Sequence, residues 1–239
     1  MNATTLLDLI DTAEARSPAA RALAIAEFAE PALSIGDGAL ALSIGARNER
    51  ILRARQALLG DTLECRATCL ACAEALEFTV SATALLAEAP QVMVDVPFTL
   101  ADGELTITAR LPTVGDLLAV EASADPRQAL ISCCVLVANV NGDQVDVALL
   151  PEATLSALEA AVRTRDPLIE TSFDLTCPAC AHHWQSPFDV AAFVWSELAW
   201  HAARLIDEVD ALARAYGWSE REILAMSARR RQRYLEQLS

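Results

Sequence analysis

Two Cys-x-x-Cys pairs, Cys69-Leu-Ala-Cys72 and Cys177-Pro-Ala-Cys180, constrain this chain more than any other feature, because each leads straight into a strand-like stretch. Four thiolates in two close pairs match the tetrahedral preference of Zn²⁺, and a site closed by four protein ligands keeps no open position for a substrate. The spacing predicts a split zinc ribbon with Cys69, Cys72, Cys177 and Cys180 as ligands and a structural, non-catalytic ion. Such an ion joins distant parts of the chain. Closing the loop from Cys72 to Cys177 costs roughly 4 kcal/mol of chain entropy plus a constant, against about 10 to 16 kcal/mol for a structural zinc site at neutral pH.

Each pair alone also suits a redox dithiol. Ala73 and Ala181 occupy the position after the second Cys where Gly is usual, because the backbone there often takes φ > 0; both depart from the commonest knuckle pattern. His182 and His183 follow the second pair and offer substitute ligands, but two full cysteine pairs leave them as loop and strand residues. Cys65 reads as a bystander near the first pair. Cys133 and Cys134 lie in the apolar run from Ala129 to Val137, where a free cysteine behaves as a small buried hydrophobe. An odd set of seven cysteines, with no charged-then-apolar leader at the N-terminus, fits a reducing cytoplasm.

At 239 residues the chain can bury a full core, as one large domain or two small ones. Its hydrophobic fraction is 54%, yet the apolar stretches are too short and interrupted for a span of about 20 residues, so no membrane insertion is expected. The net charge is −15 and all 18 basic residues are arginines. Phosphate binding needs a positive footprint, and only Arg229, Arg230, Arg231 and Arg233 cluster. That cluster reads as a solvated helix face or as a docking patch for an acidic partner protein, and nucleic acid is not the expected ligand.

Apolar spacing predicts two short helices between Thr4 and Glu30, broken at Ser17-Pro18, and an amphipathic helix from Arg47 to Leu59 stopped by Gly60. The echo of Leu33-Ser-Ile-Gly36 in Leu42-Ser-Ile-Gly45 is too short for a repeat architecture. Leu76 to Val80 reads as a strand, and Val92–Leu100 with Glu104–Leu111 as a hairpin around Ala101-Asp-Gly103. Thr113 with Asp116, and Asp125-Pro126, open helices, and another begins near Pro151-Glu152. Ile169–Leu175 and Trp184–Phe188 are strands flanking the second pair. The last fifty residues read as three helices, with Phe193, Leu198, Leu205, Val209 and Leu212 facing a core, Ser219 and Glu222 as a capping box, and Ser227 as a cap. Trp195 and Trp200 read as core aromatics.

The fold class expected is thus α+β, mainly helical, with a small β-sheet and a split four-cysteine zinc ribbon joining N-terminal and C-terminal helical regions. The segments are 1–64 (helical), 65–188 (ribbon and mixed middle) and 189–239 (helical), integrated in one domain. No catalytic constellation stands out: the three histidines form no His-Glu-x-x-His pattern, and there is no phosphate loop or nucleophile elbow. The expectation is a non-enzyme with no small-molecule substrate.

The order of motifs is more specific than any one of them. Ile44-Gly-Ala-Arg-Asn-Glu-Arg-Ile-Leu52, Leu59-Gly60, the first Cys pair and Arg110-Leu-Pro-Thr-Val-Gly-Asp-Leu117 come first. The second Cys pair with Trp184 and Pro187-Phe-Asp-Val190 follows, then Tyr216-Gly-Trp-Ser219, Glu222-Ile-Leu224 and the stretch from Arg229 to Leu235. This succession resembles the T4-type baseplate hub assembly chaperone family, which accompanies contractile phage tails and related injection systems. The resemblance implies a non-enzymatic assembly factor or minor structural component. Its partners would be baseplate hub or spike proteins, and it would act in the cytoplasm during assembly or as part of the particle. The alternative from another class is a zinc-ribbon adaptor or regulator that binds nucleic acid or the transcription machinery.

Overall fold

The computed structural model describes residues 3–30, 38–89 and 96–238. Helices α1 (Ala3–Ala13), α2 (Pro18–Ala29) and α3 (Ile44–Leu59) open the chain. Ser17 caps α2 with Pro18 in its first turn, and Gly60 ends α3 at φ 89°. The Leu33-Ser-Ile-Gly36 echo lies outside the described residues.

A hairpin of β1 (Thr62–Thr68) and β2 (Ala75–Ser81) follows, and short helix α4 (Ala82–Ala87) leaves it directly. The middle of the chain builds a four-stranded antiparallel sheet in the order β3 (Phe98–Asp102), β4 (Leu105–Ala109), β5 (Val135–Val140), β6 (Asp143–Gln144). Asp102 pairs with Leu105, so the first turn is Gly103-Glu104, slightly later than the sequence pattern indicates. The expected strand's first residues, before Val96, fall outside the described part. Helices α6 (Pro126–Cys134) and α7 (Glu152–Arg165) pack on this sheet, and α5 (Val114–Val120) lies against α6 and α2. Thr113 and Asp116 close the capping box at α5, and Arg110 grips the same Asp116 carboxylate.

A second hairpin, β7 (Thr171–Thr176) and β8 (His183–Phe188), again runs directly into a helix, here the long α8 (Val190–Tyr216). Gly217 ends α8 in the left-handed region. Ser219 and Glu222 then cap α9 (Glu220–Leu224), and Ser227 caps α10 (Ala228–Leu235).

Among the described residues two hydrophobic cores result. The first joins α1, α2 and α3 to both hairpins and α8 through residues such as Ile25, Ile51, Leu52, Leu63, Val194 and Leu198. The second lies under the four-stranded sheet, where Ile107, Ala109 and Ala138 meet Ile131, Leu155 and Leu158 of α6 and α7. The α8 stripe packs as its period requires: Leu198, Leu205 and Leu212 are buried and Phe193 packs against the first core. Trp200 corrects the sequence reading. It is 55% exposed, with Arg204 stacked over its ring, because it lies on the opposite side of α8 from that stripe. Among the described residues no helix is long and apolar enough to cross a membrane.

Candidate metal centre

The two hairpins are built alike. Thr68 pairs with Ala75 in one and Thr176 with His183 in the other, so each Cys pair occupies the turn of a two-stranded ribbon. The Cys69 N–H donates to the Glu74 carbonyl at 2.8 Å, and the Cys177 N–H to the His182 carbonyl at 2.9 Å. The Ala73 N–H returns to the Cys69 carbonyl at 3.0 Å, and that of Ala181 to Cys177 at 2.9 Å. Both alanines sit in the left-handed region, at φ 60° and 57°. The turn thus takes the geometry that Gly usually serves, and the departure from the common pattern costs conformational energy without changing the shape.

Relief of that strain is measurable. A left-handed alanine costs roughly 1–2 kcal/mol, while Gly adds about 0.5–1 kcal/mol of chain entropy on folding. Ala73→Gly and Ala181→Gly are each expected to raise stability by about 0.5–1 kcal/mol, read from chemical denaturation with zinc present; a loss in both would refute the strain argument.

The hairpins bring their tips together. Aromatic packing sets their approach: Phe78 of the first meets Phe173 of the second at 5.7 Å edge-on, and Phe173, Phe188 and Phe193 continue the row at 5.0 and 5.1 Å. Beyond this row Cys69 Sγ lies 3.7 Å from Cys180 Sγ, and Cys72 Sγ 3.6 Å from Cys177 Sγ. All four sulfurs fall within 4.8 Å of one another. Disulfide sulfurs would be about 2.05 Å apart, and all four cysteines are free thiols. A tetrahedron of thiolates at about 2.3 Å from a zinc ion has edges of about 3.8 Å. The cluster has the size of such a shell.

Its electrostatics point the same way. Desolvation pushes the Cys69 thiol up, and the backbone N–H groups of Ala71 and Cys72 more than offset it, holding Cys69 at about 7. The Glu74 backbone lowers Cys72, but its crowding sulfur neighbours Cys180 and Cys177 drive it to about 12. Four thiols so close resist joint ionisation, and a divalent cation at their centre removes that repulsion. Cys69 and Cys177 are buried, while Cys72 and Cys180 face outward.

The other candidates stay apart from the cluster. Cys65 is buried in the first core from β1, and burial raises its thiol. Cys134 is buried and pushed up to about 12, chiefly by desolvation, while Cys133 is half-buried. His183 Nδ1 pairs with the Thr176 hydroxyl at 2.8 Å, and His182 stacks on Trp184.

The arginine cluster divides. Arg229, Arg230 and Arg233 are exposed, but Arg231 is buried, with Nε 2.8 Å from Glu208 and Nη1 donating 2.8 Å to the Met226 carbonyl. Arg231 therefore anchors α10 on α8, and the free charge belongs to its three neighbours. Aromatic rings fix the same mount: Tyr216 stacks on Trp218 at 4.5 Å, and Trp218 meets Tyr234 edge-on at 4.8 Å.

A protein-family model for the T4 bacteriophage base plate protein matches residues 6–195. The chain belongs to that family. The match takes in both hairpins, both Cys pairs and nearly all of both hydrophobic cores, and it stops within α8. The ending from Tyr216 to Leu235, which contributes to the resemblance noted above, lies beyond it. Comparison of this baseplate-family chain with curated proteins and with solved structures gave no match.

Proposed function

We propose that this chain is a non-enzymatic assembly factor or minor structural component for the baseplate hub of a contractile phage tail or phage-tail-like injection system. The observation that carries the proposal is the baseplate-family match over residues 6–195. In the same reading, Cys69, Cys72, Cys177 and Cys180 hold one structural Zn²⁺. Their four thiolates would complete a tetrahedral shell and leave no position for substrate. The ion would lock two hairpins that each lead into a helix, fixing where α4 and α8 set out.

The partner-facing charge in this proposal is Arg229, Arg230 and Arg233. None of the three makes an ion pair among the described residues, and they stand on a chain of net charge −15. A local positive patch on an acidic protein selects orientation on docking to an acidic surface. The same net charge opposes a nucleic-acid role.

The test is co-expression with the hub and spike proteins of the contractile tail made by the same phage or cell, followed by isolation of the complex. A stoichiometric complex with a hub or spike protein is expected, and failure to bind any of them would overturn the reading. Reversing the patch with Arg229→Glu, Arg230→Glu and Arg233→Glu is expected to weaken that complex by at least about tenfold and to flatten its salt dependence. Unchanged affinity would remove the patch from the interface.

A further inference from the structure

A cleft of about 560 Å³ opens between the two cores, with α3, α6 and α7 and the start of α8 as its walls. That is within the usual size range of ligand sites. Ile44, Pro112, Leu130, Ile131, Leu158 and Val162 make much of its lining apolar. Arg47, from the first turns of α3, is the exception that matters. It lines the cleft, yet is only 6% exposed.

Its hydrogen bonds account for two of its three nitrogens. Nε and Nη2 both donate to Asn48 Oδ1, at 3.1 and 2.9 Å, and Asn48 is itself held by the Leu168 carbonyl at 2.8 Å. Nη1 has no partner among the described residues, and no carboxylate forms an ion pair with this guanidinium. Burial pushes the Arg47 pKa down, and the more distant charges of Asp189 and Asp166 only partly offset it.

The acids of the cleft are already engaged. Glu159 receives Arg127 at 2.7 Å, and Glu170 receives Arg163 at 3.3 Å. Asp189 accepts the Ala192 N–H at 3.0 Å as the cap of α8. Arg127 and Arg163 are thus neutralised at the rim, whereas Arg47 is a buried cation with an open donor. A guanidinium keeps its charge under such burial and is shaped to receive a carboxylate.

We propose that this cleft is a docking site for a segment of a partner protein, which seats a carboxylate on Arg47 and apolar side chains on the surrounding wall. The protein nature of the occupant rests on the baseplate reading. The carboxylate and the apolar body rest on the cleft itself.

The probes are 4-phenylbutyrate and its uncharged counterpart 4-phenylbutyramide, titrated by NMR into the full chain. The carboxylate is expected to bind at least about tenfold more tightly than the amide, with shifts confined to residues of the cleft. Arg47→Met is expected to abolish that preference, and Arg127→Gln, at the rim, to preserve it. Should Arg47→Met fail to fold, the comparison of the two probes on wild type and Arg127→Gln still decides.

Equal binding of the two probes, no binding of either, or a preference that survives in Arg47→Met would overturn the proposal. So would native mass spectrometry showing a small carboxylic acid retained by the purified chain and lost in Arg47→Met, which would replace the protein segment as occupant. Because the assay needs no tail protein, its failure leaves the baseplate reading intact. Failure of the hub complex in turn leaves the cleft chemistry standing.

Discussion

A Cys177→Ser, Cys180→Ser variant is expected to lose its metal and to melt more than about 10 °C below the wild-type chain. The magnitude follows from two terms. A structural zinc site contributes about 10–16 kcal/mol in isolated modules, of which roughly 4 kcal/mol offsets closing the loop between the two Cys pairs, leaving about 6–12 kcal/mol at stake. The row Phe78, Phe173, Phe188 and Phe193 still holds the hairpins together, at about 0.5–1.5 kcal/mol per ring pair beyond area burial. The loss is therefore partial. A deficit of about 5 kcal/mol, just under the low end of that range because the ring packing persists, corresponds to some 10–20 °C for a chain of this length. A strong chelator should lower the wild-type melt by a similar amount and leave the variant unchanged, as followed by calorimetry. A variant that melts with the wild type would show that the hairpins need no ion.

Gly45→Ala is expected to destabilise the fold by about 3–5 kcal/mol. Gly45 lies in the first turn of α3, and its N–H donates 2.9 Å to Asp166 Oδ2. A Cβ placed there would stand 1.8 Å from Asp166 Oδ1, and Asp166 is 1% exposed, so its carboxylate cannot swing into solvent. Overpacking of this kind costs about 1–3 kcal/mol, and loss of a charge-assisted hydrogen bond another 1.5–3. Urea denaturation measures the sum. Shortening the acid should relieve the clash, so Gly45→Ala combined with Asp166→Ser is expected to be more stable than the separate losses predict, by more than about 1 kcal/mol. A Gly45→Ala protein within 1 kcal/mol of wild type would mean that α3 and the turn at 167–169 separate at little cost.

The signals that locate the helices are local ones. Ser17-Pro18, Asp125-Pro126, Thr113 with Asp116, and Ser219 with Glu222 act within one helical turn, and each caps the helix it announces. The strands are harder to find. β1 carries a plain alternation in Leu63, Cys65 and Ala67, which is obscured because Cys65 also reads as a neighbour of the metal site. β5 continues α6 without a break at Val135, and an apolar run of that kind has no period that separates strand from helix. The overlooked cue is Asn141-Gly142, the strongest short hairpin signal; both residues take positive φ, at 55° and 90°.

The candidate metal residues are legible because Cys-x-x-Cys is short-range, and the fold has only to bring two such turns together. Arg231 is misplaced within an exposed cluster when read from the sequence, because its partner Glu208 is on another helix. The contact between Gly45 and Asp166, and the burial of an Arg47 guanidinium with no ion pair among the described residues, have no local signal. They arise only once residues more than a hundred positions apart meet.

Native mass spectrometry of the freshly purified chain is the most direct test of the metal-stapled account. One zinc ion per chain, retained in the folded charge states and missing from the Cys177→Ser, Cys180→Ser variant, is the predicted result. A folded wild-type chain that carries no metal, even after purification and refolding with zinc, would contradict it.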